Sequence, residues 1–531
     1  MENLNVSSVS EDPPSKKQKK QAPKNQLSVD CAHFLESKWK MLKSVQLKAP
    51  LEYVLLKHGN SSNSAITNLL LFIPEQVWTI LQTAINRRLA SFPNINKKNQ
   101  YRIKDVTVFE LLQFYGIHLL MESTYGNDFT NLRAHFAYVK EKFGGVKGLG
   151  LDRFEILRNC LVPTVEEIRT ICEVLGATNA KFVERVTQCT IDESLIGYQP
   201  SKKVKEEAEK EGKPIPVVYS QRKPHPNGLL NYLAVCYVEH PAKREKGLPF
   251  VISILPHLTV GDTSPHGVVR TFMKQWLCQN KPHWVADAAF GSEIMLKEVE
   301  EWGGSATFSM SISTMNWMWN VLSANSPTGT WRAAMNEKGW IASSHTILDK
   351  NNNRVHQQLL SNGFKGVETG TQTTNSSPIV TSTEFMPIFE RETLMKMKIE
   401  ELKEICKKWN IKIKGNKPNL ADNIVARSLT LNQDFGQLKS LETSLQSHWN
   451  KDPALMHDYY KCHFNAVDLV DCKWNQVEEH HQNQHWEAKM ILTILQFAVL
   501  NSWVYATKTK FSKWKDWHKQ LGVELIHNQL E

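Results

Sequence analysis

Four aspartates are the residues of this chain whose type and spacing could do chemistry. Asp192 lies inside an apolar stretch, CTIDESLIG, Asp287 ends another, WVADAAFG, and Asp468 and Asp471 stand three residues apart in NAVDLVD. Two-metal phosphoryl transfer needs a few carboxylates converging on divalent cations roughly 3.5 to 4 Å apart, which activate the attacking oxygen and stabilise the leaving one. Taken singly, each residue has another reading. Asp192 could pair with a lysine, Asp287 could be a turn residue, and Asp468 could cap a helix. Together they fall at the ends of elements that would meet in one sheet. Carboxylates gathered there without compensation are costly unless a metal neutralises them.

The elements that must position them change along the chain. Residues 1 to about 30 are rich in Ser, Pro, Lys and Gln and cannot bury enough apolar surface to offset the entropy of ordering. Within them, Lys16, Lys17, Lys19 and Lys20 follow Pro13-Pro14. That run fits a nuclear-import peptide or a phosphate-binding arm, with a solvated charge run as the plain alternative. From about 31 to 185 apolar residues recur at helical spacing, as at Val77, Ile80, Leu81 and Ile85, and Thr107 with Glu110 reads as a capping box. After Gln188 the texture becomes β-branched and aromatic, in CTIDESLIGYQ, LLNYLAVCYVEH, LPFVISILPHLTV and PHWVADAAF. These predict strands of a sheet covered on both faces, with SPHGVVRTFMKQWLCQ as a covering helix. The charge run in 200 to 216 reads as a solvated loop, and the polar stretch after about 346 as a linker. Last come a two-helix pattern broken at Gly415, a long apolar helix from Trp486, and a basic tail.

Composition sets the bounds. A chain of 531 residues exceeds the size of one hydrophobic core, so about two to four units are expected. No uninterrupted apolar run reaches the roughly 18 residues of a membrane span, and the first residues lack the apolar core of a secretory signal. No membrane partner is expected, and the nine cysteines are expected to be thiols. They include no C-x-x-C pair. Cys462, His463 and Cys472 lack a fourth ligand at metal spacing, so no zinc is expected. The net charge of +10 favours a polyanionic partner without establishing one.

In order along the chain, TVFELLQFYGIHLLMES, LDRFEILRNCL, TIDESLIGYQ, RKPHPNGLLNYLAVCYV, VADAAFGS, NAVDLVD and FAVLNSWVY resemble piggyBac-type transposases and the proteins derived from them. The resemblance spans about residues 70 to 507. It implies a mixed α/β fold: an RNase H-like, retroviral-integrase-like core with a helical N-terminal domain and a helical insertion. It implies that Asp192, Asp287 and Asp468 are catalytic metal ligands, with Asp471 auxiliary. It also implies two Mg²⁺ or Mn²⁺ ions, cut-and-paste transposition through a hairpin at TTAA targets, double-stranded DNA at transposon ends and target as substrate, a homodimer, and a nuclear protein.

In those roles Asp192 would bridge both ions, Asp287 would hold one and Asp468 the other. Glu193 points to the opposite strand face and reads as structural. Lys223 could touch a phosphate or be an ordinary surface lysine. Trp486 could stack on an unpaired base or pack into the core. The pattern LKEICKKWNIKIKGNKPNLADNI resembles a SAP motif, which implies phosphate contacts by Lys412, Lys414 and Lys417. A helical hairpin without DNA contact is the alternative.

Two departures stand out. AAFGS follows Asp287 where the family usually carries an Asn and a Trp, and no cysteine follows Cys472, where the family ends in a zinc-binding repeat reader. Three functions therefore stay open: a metal-dependent DNA transposase, a domesticated DNA-binding relative without transposition activity, and a nuclease of the same fold. The expected division is a disordered basic tail (1–30), a helical DNA-binding and dimerisation domain (31–185), and the first part of the core (186–345). An insertion (346–445) with the SAP-like hairpin (393–428), the last part of the core (446–507) and a basic tail (508–531) follow.

Overall fold

The computed structural model describes residues 40–42, 55–56, 64–91, 104–124, 131–144, 149–186, 188–221, 226–239, 247–258, 264–276, 282–311, 318–323, 326–329, 331–349, 351–363, 391–408, 416–432, 453–476, 485–507 and 513–527. Lys16, Lys17, Lys19, Lys20, Lys223, Lys412 and Lys414 lie outside the described residues.

Helical periodicity in the first third produces α1 (Ala65–Phe72), α2 (Glu75–Ala90), α3 (Val108–Thr124), α4 (Leu132–Phe143), α5 (Leu151–Cys160) and α6 (Val165–Phe182). The apolar stripe of α2, including Val77, Leu81 and Ile85, is buried. Thr107 caps α3 as expected, its hydroxyl accepting from Glu110 N at 3.1 Å. The reciprocal half of the box is replaced. The Glu110 carboxylate instead takes both forks of buried Arg153, at 2.8 and 2.9 Å, because a bidentate charged pair in a buried setting outweighs a local cap. A complete capping box forms at Thr164 and Glu167, at the start of α6.

The strands are β1 (Lys40–Leu42), β2 (Leu55–Leu56), β3 (Val183–Arg185), β4 (Gln188–Gly197), β5 (Val217–Tyr219), β6 (Asn227–Glu239), β7 (Gly247–Pro256), β8 (His283–Ala286), β9 (Ser305–Ser309), β10 (Trp331–Met335), β11 (Ile341–Leu348) and β12 (Arg354–Ser361). Ten of them form one mixed sheet, ordered β1–β10–β11–β12–β9–β8–β4–β6–β5, with β7 also on β6. The pairings β4–β8 and β8–β9 are parallel. Strands β6 and β7 are buried along nearly their whole length, as continuous apolar runs require of a sheet covered on both faces.

The long helix α15 (Trp486–Ala506) packs on this sheet and is tied to it by one side chain. The β6–β7 ladder slips between Ala234 and Val235, leaving Ile252 as the extra residue of a bulge. Asn501 accepts from Val251 N at 2.9 Å and donates to Val251 O at 2.7 Å, so its amide pairs the backbone groups beside the slip. Asn501→Ala should lower stability by about 2 to 3 kcal/mol, because it leaves the buried Val251 N–H unpaired. An unchanged urea midpoint would show that the bulge does not depend on this amide. By length and composition α15 could cross a membrane, yet 94% of its apolar stretch is buried inside the protein, as in a core helix.

Several expected boundaries shift. The sheet runs on to Ser361, past the expected end of the first core segment at 345. Strands β11 and β12 read as polar because their inward residues include Ser343, Ser344, Gln358 and Ser361, all buried. Strand β1, from the mostly helical N-terminal region, closes that edge by pairing with β10. The charge run expected as a loop is the exposed helix α7 (Lys202–Lys210), supported by Lys202–Glu206 and Lys203–Glu207 pairs one turn apart. The expected covering helix is α8 (Pro265–Trp276), and a further helix, α9 (Glu293–Glu301), lies between β8 and β9.

Further along, α10 (Arg391–Lys396), α11 (Ile399–Lys408) and α12 (Lys417–Asn432) enclose a small core of Leu394, Leu402, Cys406, Leu420, Ala421 and Ile424. Helices α13 (Pro453–His463) and α14 (Ala466–Trp474) precede α15. Within the expected basic tail, α16 (Trp514–His527) is a docked helix. It buries Trp514, Trp517, Leu521, Leu525 and Ile526 and turns Lys515 and Lys519 outward. Gly522 meets Gly116 of α3 so closely that a methyl group at 522 would sit 2.7 Å from Leu120 Cγ. Buried Glu122 joins the three helices there, 3.1 Å from His118 Nε2 of α3 and 3.4 Å from His518 Nε2 of α16, and it accepts from Gln496 of α15.

Candidate functional site

The sheet brings two of the four aspartates together. Strands β4 and β8 are parallel with Ile191 opposite Ala286, so Asp192 and Asp287 are next in line on neighbouring strands about 4.8 Å apart. Strand β9 extends the row: Ala286 pairs with Phe308, which brings Ser309 beside Asp287. The row Ser309, Asp287, Asp192 thus crosses three parallel strands, at the end of β9, just past the end of β8 and midway along the longer β4. Apolar runs bring the strands into the core, and the aspartates stand where those runs stop. Both carboxylates are half-buried. Each also accepts the amide of the residue that follows it, Glu193 N at 2.8 Å and Ala288 N at 2.6 Å.

The face that carries the pair is identified by its neighbours. Thr190, Asp192 and Ser194 alternate with Ile191 and Glu193, and so share one side of β4. Thr190 Oγ1 donates to the His463 carbonyl at 2.8 Å, at the end of α13. Ser194 Oγ donates to Asp471 Oδ1 at 2.6 Å, on α14. The α13–α14 corner therefore lies across the strand residues that flank Asp192. Asp471 is engaged by Ser194, and Asp468, one turn earlier, is exposed on the same helix. Burial, then the charges of Cys462 and Asp468, raise the Tyr237 hydroxyl on β6, which marks that strand as the neighbour of Asp468.

Tyr460 of α13 completes the neighbourhood. Burial first, then the charges of Asp287 and Asp192, push its hydroxyl well above the ordinary phenol range, while a hydrogen bond with Ser309 acts in the opposite sense. Its ring stacks on Phe464 with centroids 5.2 Å apart, which fixes its rotamer at the helix end.

Two adjacent, partly exposed carboxylates present hard oxygen donors. Mg²⁺ commonly takes one or two protein carboxylates and fills its remaining positions with water and substrate phosphate. Asp192 and Asp287 fit such an ion. Among the described residues no group of three or more His, Cys, Asp or Glu is placed to hold a metal, so Asp468 and Asp471 do not close a protein cage with the pair.

The remaining candidates divide. Lys417 is the half-buried first residue of α12. Trp486 begins α15 partly buried against the main core, the packing alternative of its two readings. Glu193 points away from the pair toward β6, where it raises the Tyr232 hydroxyl after burial. Sequence reasoning missed Ser194, Ser309 and Tyr460. Ser194 carries a readable signal, since it lies two residues from Asp192 on a strand. Ser309 and Tyr460 do not, because they reach the site through pairings across 22 and 173 residues.

Residues 393–426 match the model of the SAP domain. No curated protein matches the chain. Among solved structures, the chain is similar to piggyBac transposase in a cryo-EM synaptic complex with hairpin DNA. The TM-score is 0.56 at 13% identity, covering 90% of this chain and 82% of that one. The likeness runs through nearly the whole chain, and at that identity it is one of fold: a mixed α/β architecture shared with a transposase, interrupted by a helical segment of SAP type.

Proposed function

We propose that this chain is a piggyBac-like DNA transposase that cleaves and joins DNA strands at an acidic site on an RNase H-like core. The observation that carries the reading is the placement of Asp192 and Asp287 side by side on neighbouring parallel strands, in a fold shared with a transposase. The order β7–β6–β4–β8–β9, with three antiparallel strands followed by two parallel ones, supports the core assignment. Asp192 and Asp287 would hold the divalent cation, Mg²⁺ or Mn²⁺, and Asp468, exposed on α14 and not gathered with the pair, would have to come in as the third ligand when the ion binds. When bound, the metal supplies Lewis acidity toward a phosphodiester and lowers the pKa of an attacking water or hydroxyl. The chain's own groups orient those ligands: Ser194 steadies α14 through Asp471, and Thr190 ties the end of α13 to the strand. Double-stranded DNA is the substrate, and the SAP-type helices add phosphate contacts through Lys417 and its neighbours Lys412 and Lys414. A homodimer working in the nucleus and a TTAA target belong to the same reading.

A second reading has one observation in its favour. With no third acidic ligand gathered among the described residues, a domesticated relative that binds DNA without cutting it would look the same. Purified protein should nick or hairpin a labelled DNA end in Mg²⁺ and stop in EDTA. Binding that leaves the strand intact would decide for the non-cutting relative. Deleting 393–426 should weaken binding and flatten its salt dependence, since each lost phosphate contact removes about 0.9 from the slope of log K against log salt. Equal slopes for the two chains would make the segment structural only.

A further inference from the structure

We infer, resting on the DNA reading above, that the tip of the β11–β12 hairpin is a DNA-contacting ribbon whose Asn351, Asn352 and Arg354 meet a duplex brought to the acidic site. Register sets the height of that tip. Leu359 of β12 pairs with Ser309 at the end of β9, and Ser343 of β11 pairs with Leu359, so both stand level with the row of Ser309, Asp287 and Asp192. Past that row the ladder of β11 and β12 continues for five more pairs, to Leu348 and Arg354. At about 3.4 Å per residue, the hairpin rises about 17 Å beyond the end of β9. Strand β4 rises on the other side, five residues from Asp192 to Gly197, paired throughout with β6. Strands β8 and β9 stop between these two arms, whose backbones are three strand spacings, about 14 Å, apart along the sheet. A phosphodiester that reaches Asp192 and Asp287 from beyond the ends of β8 and β9 therefore passes beside the hairpin tip.

The side chains of the tip suit that passage. Asn351, Asn352, Asn353 and Arg354 are all exposed. Asp349 is engaged by the turn itself, accepting from Asn351 N and Asn353 N at 2.8 Å and from Asn353 Nδ2 at 3.1 Å. Asn352 closes the turn with a left-handed backbone, φ 59°, a conformation that asparagine tolerates. Asparagine amides and an arginine guanidinium are groups that bond base edges and phosphates. A two-stranded β-ribbon also fits the major groove, which is about 12 Å wide.

The test is binding of a labelled random-sequence duplex by the full chain in EDTA, followed by fluorescence anisotropy across a salt series. Wild type should bind. The double variant Asn352→Gly, Arg354→Gln keeps the turn, because glycine adopts the left-handed backbone without strain. It should bind about eightfold more weakly at about 0.1 M salt, and its slope of log K against log salt should be shallower by about 0.9, the loss of one phosphate contact. Its melting temperature should match that of wild type. A benzoylphenylalanine photoprobe placed at Asn352 should crosslink to the duplex, whereas the same probe at Glu301, by the opposite end of β9, should not. If wild type binds, the double variant matches it in affinity and slope, and the probe at Asn352 gives no crosslink, the role of the tip is overturned while the DNA reading stands. If wild type fails to bind the duplex, the DNA reading itself falls and the tip with it.

Discussion

Asp192→Ala should reduce Mg²⁺-dependent DNA cleavage by about a thousandfold or more and leave the protein folded. A bound cation that polarises a phosphoryl oxygen is worth several kcal/mol of transition-state stabilisation, and each 1.36 kcal/mol is about a factor of ten in rate. Asp192 is the carboxylate with most to lose, because it stands between β8 and β6 and shares its strand face with the two residues that hold α13 and α14. Stability should not fall with activity. Removing one of two neighbouring negative charges relieves repulsion in the metal-free protein, and the half-buried side chain leaves little cavity. Asp287→Ala should match Asp192→Ala in rate. Asp471→Ala should cost less, because Ser194 already engages that carboxylate. Single-turnover cleavage of a labelled DNA end, with thermal melting of each variant, checks all three. Cleavage that survives Asp192→Ala at near wild-type rate would sink the assigned mechanism.

Stability should fall between pH 7 and pH 5, and two histidines beneath the site should contribute about 4 kcal/mol of the loss. Burial first, and then His463, depress His283 to about 3. Burial alone depresses His463 to about 3. Both are fully buried. His283 hydrogen-bonds Ser305 at 3.0 Å and Thr307 at 2.8 Å, while His463 packs against Tyr459 with ring centroids 4.2 Å apart. A folded-state pKa below the unfolded value of about 6.5 means that the unfolded chain takes up protons first. The stabilising contribution is therefore complete above about 6.5 and is lost as pH falls toward 3. At pH 5 each histidine costs about 2 kcal/mol, from 1.36 kcal/mol per unit over about 1.5 units. Urea unfolding of the core at the two pH values measures this, and His283→Gln should shrink the difference by about 2 kcal/mol. A midpoint unchanged from pH 7 to pH 5 would show that these rings are protonated or hydrated in the native state.

Much of the fold was legible in one sequence because the strongest signals were periodic and local. The helical stripe of α2, the continuous apolar runs of β6 and β7, and the core helix at Trp486–Ala506 declare themselves by spacing alone. The polar strands β11 and β12 did not, since Ser343 and the Gln358 amide nitrogen are buried and bonded to distant partners, His457 and Ser323. Nor did α16, whose lysines advertise a solvated tail while Trp514, Trp517 and Leu521 face the core.

The site divides in the same way. By themselves, the residues determined that Asp192 lies inside one apolar stretch and that Asp287 ends another, because such runs declare themselves locally. Only the tertiary structure decided that β8 lies parallel to β4 with the two aspartates in line, and that Ser194 holds Asp471. Those relations depend on strand order and helix docking, set by the sum of many weak contacts between residues far apart in the chain. No local pattern carries that sum.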